Sequence, residues 1–204
     1  KKYSTVDHIF TLSSIIEKSL SKRRGKLYVA FVDLRKAFDS VDRQSLFRAL
    51  SEAGVSGRML KSLMSIYKSV LSCVRAGSSL TDFFECPLGL RQGCCLSPSL
   101  FSLFINAVAD NMDAQGRHGI QLMPGLLELF LLMFADDIAL LSDTAQGLQN
   151  QLNCLARTCS DLKLTVNTEK TKIMVFRKGG ALRRNEKWFL NGDQLEVVNS
   201  YVYL

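Results

Sequence analysis

A chain of 204 residues, 47% hydrophobic and 22% charged, holds enough apolar material for a buried core in one domain, or one domain with a small appendage. Its longest apolar stretch, Leu126 to Ala135, is broken by Glu128 and is too short for a membrane helix, and the charged start at Lys1 shows no secretory pattern, so neither membrane insertion nor export is expected. Lys and Arg outnumber Asp and Glu by 26 to 19, a formal charge of +7, which favours an anionic partner without separating nucleic acid from ordinary surface charge.

Val6, Ile9, Phe10, Leu12, Ile15, Ile16 and Leu20 recur at three- and four-residue steps and predict an amphipathic helix from Thr5 to Leu20. A basic run, Ser21 to Lys26, ends it, and Leu27 to Leu34 reads as a buried strand. Asp42 is placed to cap a helix that runs to about Ala53 and stops at Gly54, with a second helix over Arg58 to Leu71. Segments 72–76 and 81–86 flank a Gly77-Ser78-Ser79 turn and suggest a hairpin. Pro98 falls in the first turn of a long helix to about Asp113, with Ser97 as the expected N-cap.

Leu127 to Phe134 and Ile138 to Leu141 are apolar runs joined across Ala135-Asp136-Asp137, a hairpin whose tip carries two acids. A helix over Ala145 to Leu162, a strand over Lys172 to Phe176, a basic loop and a last hairpin around Asn191-Gly192 complete the order. Strand, helices, hairpin, helix and strand in this sequence imply an α+β fold, an antiparallel sheet with helices packed on one face in a split βαβ-like arrangement. The six cysteines contain no C-x-x-C pair and the chain has only two histidines, so no zinc-finger spacing exists; reduced thiols in an intracellular protein are expected. The chain lacks an initial Met and stops on Tyr201-Val202-Tyr203-Leu204 in mid-pattern, which reads as a piece of something larger.

Asp33 closes one hydrophobic strand, and Asp136-Asp137 joins two others. A carboxylate beside a core strand is costly unless something cationic neutralises it. Brought together by an antiparallel sheet, these acids would offer hard oxygen donors suited to Mg²⁺. Taken one at a time, the blander readings are a turn residue for Asp137 and a helix cap for Asp33.

FVDLRKAFDSV around Asp33, GLRQGCCLSP from Gly89 to Pro98, FADD from Phe134 to Asp137 and LTVNTEKTK from Leu164 to Lys172 resemble, in order and spacing, the palm motifs of reverse transcriptases. The resemblance covers nearly the whole chain and is greatest to the non-LTR (LINE-type) retrotransposon enzymes. It implies an RNA-directed DNA polymerase acting on an RNA template, a DNA primer and deoxynucleoside triphosphates, with two Mg²⁺ ions, or Mn²⁺ in their place.

It further implies that Asp33 and Asp136 bind both metals, Asp137 assists, and the Leu34 carbonyl completes one coordination shell. Phe38, five positions after Asp33, falls at an aromatic gate against the sugar 2′-hydroxyl. Gln92 and Gly93 fall where the family contacts the incoming nucleotide and template base, and Lys170 matches a lysine used to protonate the departing pyrophosphate, with a solvated lysine in a turn as the alternative. Lys22, Arg23, Arg24 and Lys26, with Arg177, Lys178, Arg183 and Arg184, are candidate contacts to a nucleic-acid backbone, with solvated loops as the alternative.

The implied layout is palm over 27–42 and 91–190, partial fingers and palm helices over 1–26 and 43–90, and the start of a primer-grip hairpin over 191–204, without a thumb. Tyr3 stands where relatives often carry arginine, and Val202 where they carry lysine. A LINE-type parent would bring further fingers, thumb and endonuclease regions, cytoplasmic assembly and nuclear entry. The other readings are a catalytically silent nucleic-acid-binding piece of such an element, and a metal-dependent nuclease or cyclase on a similar palm.

Overall fold

The computed structural model describes residues 4–116, 118–123, 127–179, 182 and 186–203. Arg183 and Arg184 lie outside the described residues, as does Tyr3.

Ser4 and Asp7 form a capping box that starts α1 (Thr5–Ser21). A tight turn then leads into β1 (Lys26–Val32), and here glycine is required: a Cβ on Gly25 would stand 1.9 Å from the Ser19 carbonyl oxygen. Asp42 caps α2 (Arg43–Glu52) by accepting from Ser45 N at 2.9 Å. Next come α3 (Gly57–Ile66), a two-tier hairpin of β2 (Leu71–Ser72), β3 (Arg75–Ala76), β4 (Ser79–Leu80) and β5 (Phe84–Glu85), and α4 (Ser97–Ala114). The chain continues through β6 (Ile120–Met123), β7 (Leu127–Leu129), β8 (Leu131–Phe134), β9 (Asp137–Ser142), α5 (Ala145–Asp161), β10 (Lys172–Arg177), β11 (Phe189–Leu190), β12 (Asp193–Gln194) and β13 (Glu196–Val198).

The main sheet has the order β13-β10-β1-β9-β8, antiparallel except where β13 runs parallel to β10. Central β1 is covered on both faces, which explains its unbroken apolar run. Tyr28, Ala30 and Val32 join Ile138 and Leu140 of β9 against residues of α2, α4 and α5, such as Leu46, Leu50, Phe104, Leu148 and Leu155. Leu27, Val29 and Phe31 point the other way with Ala139 and Leu141, toward Leu12 and Ile15 of α1. Helices α2, α4 and α5 therefore fill one face as expected, and α1 lies across the opposite face.

Several boundaries differ from the sequence expectation. Helix α3 ends at Ile66 rather than Leu71, because Tyr67 turns into the core and its carbonyl accepts from Arg43. The expected Leu127 to Phe134 strand is two strands broken at Phe130: β7 pairs with β6 and β8 with β9. Ser97 is the first residue of α4, not its cap, and its hydroxyl donates to the Arg91 carbonyl at 2.7 Å.

Candidate active site

Asp33 and Asp137 meet at one end of the sheet. The last Cα partners of β1 and β9 are Val32 and Ile138, so the residue following one and the residue preceding the other leave the sheet side by side. Asp136 occupies the β8–β9 turn, closed by the Phe134–Asp137 pair, with Ala135 held at φ 53°. A non-glycine residue in this left-handed region stores about 1 kcal/mol of strain and places the two acids at the tip.

The backbone of Asp33 is gripped from the other side by the segment before β10. Thr171 Oγ1 lies 3.2 Å from Asp33 N, and Asn167 N donates to Asp33 O at 2.8 Å. Leu34 forms an antiparallel bridge with Val166, which ends β1 one residue before Asp33 instead of after it. The LTVN stretch is therefore a brace for the first acid. Lys170 is exposed in the turn leading to β10, at this same end of the sheet, since β10 and β1 pair as Lys172 with Phe31.

Among the described residues, no group donates a hydrogen bond to the carboxylates of Asp33, Asp136 or Asp137, and none forms an ion pair with them. Partial desolvation at the end of the sheet first, then the charges of Asp136 and Asp33, push the Asp137 carboxyl above its ordinary range although the residue keeps an exposed surface. Three carboxylates brought to one end of the sheet without a positive partner among the described residues are hard oxygen donors, of the chemistry that suits a hard cation. No three carboxylate, thiol or imidazole groups among the described residues yet surround a common point closely enough to hold an ion. The donors fit by chemistry, and their side chains must rotate inward to close a shell. Asp136 and Asp137 are exposed and free to do so.

Phe38, Gln92 and Gly93 share the neighbouring wall. The turn after Asp33 carries Phe38, half-buried with its ring centroid 5.5 Å from that of Phe101 on α4. The GLRQG loop lies against this turn: Leu90 N donates to Phe38 O at 3.1 Å and Gly89 N to Val41 O at 2.9 Å. Arg43 fastens the loop from behind, donating to the carbonyls of Gly89 and Leu88, each at 3.1 Å. Gly93 has φ 79° with open space where a Cβ would be, so its backbone is approachable by a ligand. Sequence reasoning missed three supporting residues here: Thr171, Arg43 and Asp39. Thr171 and Asp39 stood inside quoted motifs without being singled out, and Arg43 stood outside them.

The basic candidates sit at the opposite end of β1. Lys22, Arg23, Arg24 and Lys26 line one cavity of about 320 Å³, and Lys26 pairs with Arg177 across β1 and β10, which brings Lys178 to the same end. Lys26 is already engaged by the buried Glu186 at 2.5 Å, whereas Lys22, Arg23 and Arg24 make no ion pair among the described residues. At roughly 3.3 Å per residue, β1 separates this cluster from the acids by about 20 Å.

A helix-backed antiparallel sheet with acids at the end of its central strand and on an adjacent hairpin has the palm architecture of a template-directed polymerase. The chain belongs to the reverse transcriptase (RNA-dependent DNA polymerase) family, whose model matches residues 2–198. It is 30% identical over 176 residues to the Retrovirus-related Pol polyprotein from type-1 retrotransposable element R2 of Nasonia vitripennis, covering 80% of this chain and 17% of that protein. A polyprotein of the same description from Popillia japonica is 31% identical over 202 residues, covering 96% of this chain and 28% of the relative. The chain thus spans well under a third of the curated relatives' length. The telomerase structure from Candida albicans shares the fold at TM-score 0.64 and 14% identity, over 94% of this chain and 32% of that one.

Proposed function

We propose that this chain is the palm, with part of the fingers, of an RNA-directed DNA polymerase of the non-LTR retrotransposon type, joining deoxynucleotides to a primer 3′-hydroxyl. The observation that carries the reading is the juxtaposition of Asp33 and Asp137 at the ends of paired strands, unsatisfied by any group of the protein among the described residues. Asp33, Asp136 and Asp137, with the Leu34 carbonyl, would hold two divalent ions, for which Mg²⁺ is the natural choice given all-oxygen donors and a triphosphate substrate. Such ions, when bound, acidify the primer hydroxyl and neutralise charge on the pyrophosphate.

The protein's own residues supply the rest. Phe38 stands as a wall against a ribose 2′-oxygen, Gln92 and the open backbone at Gly93 receive nucleotide and template base, and Lys170 is available to donate a proton to pyrophosphate. Lys22, Arg23, Arg24 and Lys178 would hold an RNA or hybrid backbone away from the reacting atoms by sequence-independent attraction. With this function go a primer, an RNA template, the additional regions of a longer polypeptide and action in the nucleus.

Primer extension on an RNA template with Mg²⁺, comparing this chain with one extended at both ends, tests the proposal. Asp136→Asn should abolish extension by the active form while leaving nucleic-acid binding in place. If neither form extends a primer although both are folded and bind nucleotide, the silent nucleic-acid-binding reading replaces this one.

A further inference from the structure

We infer that Asp39 is a positioning residue that fixes the orientation of the Gln92 carboxamide. Gln92 Nε2 donates to Asp39 Oδ1 at 2.7 Å, across 53 positions of sequence. An ionised carboxylate only accepts, whereas a carboxamide has one donating and one accepting end. A flipped Gln92 would set its oxygen against the Asp39 oxygens, so the amide has one stable orientation. Its second N–H and its oxygen are then left facing outward. Both side chains border a cavity of about 480 Å³, also lined by Arg43, Leu88 and Arg91.

The backbones of the two segments are held together without the Asp39 side chain. Gly89 N to Val41 O and Leu90 N to Phe38 O form the seam, and Arg43 clamps the loop carbonyls. Removing the Asp39 carboxylate therefore frees the amide and leaves the seam intact. Asp39 also follows Phe38 directly in the same turn, so one short segment carries both the wall against the sugar and the anchor of the amide. This inference rests on the reading of Gln92 as a nucleotide contact.

The experiment compares Asp39→Ala, Asp39→Asn, Gln92→Ala and the Asp39→Ala/Gln92→Ala double variant in primer extension with varied dNTP. Alongside it, the side-chain amide resonances of Gln92 are recorded by NMR. Asp39→Ala should raise KM for dNTP about two- to tenfold, the cost of ordering one freed side chain on binding, with kcat and ribonucleotide discrimination nearly unchanged. Asp39→Asn can pair with either orientation of the amide, so it keeps a hydrogen bond without selecting one orientation and should recover only part of the affinity. In the Gln92→Ala background Asp39→Ala should add nothing, because the two act as one unit.

Independent, additive losses from the two single variants would overturn the inference, as would Gln92 amide resonances that do not move in Asp39→Ala. A Gln92→Ala enzyme with normal KM would overturn it through the reading on which it rests. The resonances would then separately report whether the hydrogen bond exists.

Discussion

Gly89 and Gly93 offer a matched pair, because both hold left-handed backbone in the same loop and differ only in what surrounds them. A Cβ on Gly89, at φ 80°, would stand 2.6 Å from the Asp39 carbonyl oxygen and 3.0 Å from its Cα, while a Cβ on Gly93, at φ 79°, would meet nothing within 4 Å. Alanine at Gly93 therefore bears only the conformational cost, about 1 kcal/mol. Alanine at Gly89 bears that cost and must also push backbone away from backbone. It thereby opens the hydrogen bonds to Val41 and Phe38, worth about 1 kcal/mol each, for a total near 3 kcal/mol. Urea denaturation followed by circular dichroism gives both values. Primer extension should separate them in the opposite sense, since the new methyl of Gly93→Ala projects into the space beside Gln92 and raises KM for dNTP with little loss of stability. Equal stability losses in the two variants would refute the close-approach argument.

Asp137→Asn should stabilise the metal-free chain while impairing polymerisation: a carboxyl whose folded pKa is raised weakens the fold at every pH above that value, and amidation removes the repulsion from Asp33 and Asp136. Thermal unfolding at neutral pH without divalent ions measures this, and a lowered midpoint would contradict it. Burial pushes the Asp42 carboxyl up, but hydrogen bonds from Ser45 and Lys163 outweigh it and hold the group below its ordinary range. Its contribution is thus complete above the unfolded pKa of about 4 and fades as pH falls through the folded value, and Asp42→Ala should cost about 1 kcal/mol at pH 7 and progressively less in acid. Phe38→Ala should increase ribonucleotide incorporation, and an unchanged sugar preference would dismiss the gate. Charge reversal at Lys22, Arg23 and Arg24 should flatten the salt dependence of RNA binding by up to about 3 in the log–log slope, and an unaltered slope would exclude backbone contact there.

Local pattern carried the sequence reading as far as local forces act. The apolar run of β1, the amphipathic period of α1 and the two-acid hairpin tip are each specified within one short stretch of chain, and each appears near its expected place. What escaped is what the chain settles at long range. Strand β1 stops at Val32 because Leu34 is taken by Val166, 132 residues away (166 − 34). The break at Phe130 has a similar origin. Gly119 packs so closely on the 129–130 backbone that its absent Cβ would lie 2.3 Å from the Leu129 carbonyl oxygen, which turns β7 toward β6 and away from β9. The Gln92–Asp39 bond depends on the stacking of the GLRQG loop on the turn after Asp33, and no periodicity within either segment encodes that.

Charge is distributed along β1 in a way that bears on how a substrate would assemble. Asp33 lies past its last residue and Lys26 is its first, and antiparallel pairing brings Asp137 to the acidic end and Arg177 to the basic end. A phosphate chain laid along the sheet would meet attraction from Lys22, Arg23, Arg24 and Lys178 at one end and repulsion from three bare carboxylates about 20 Å away at the other. Glu186 removes Lys26 from this balance by pairing with it in the interior, so the attraction rests on cations that sit on the surface and are easily screened by salt. Divalent cations at the acids would convert the repelling end into an attracting one and make the track favourable along its whole length. Under the proposed function the two ends should respond to different ions, monovalent salt weakening retention of a nucleic-acid backbone at the basic end and divalent cations favouring anionic groups at the carboxylates.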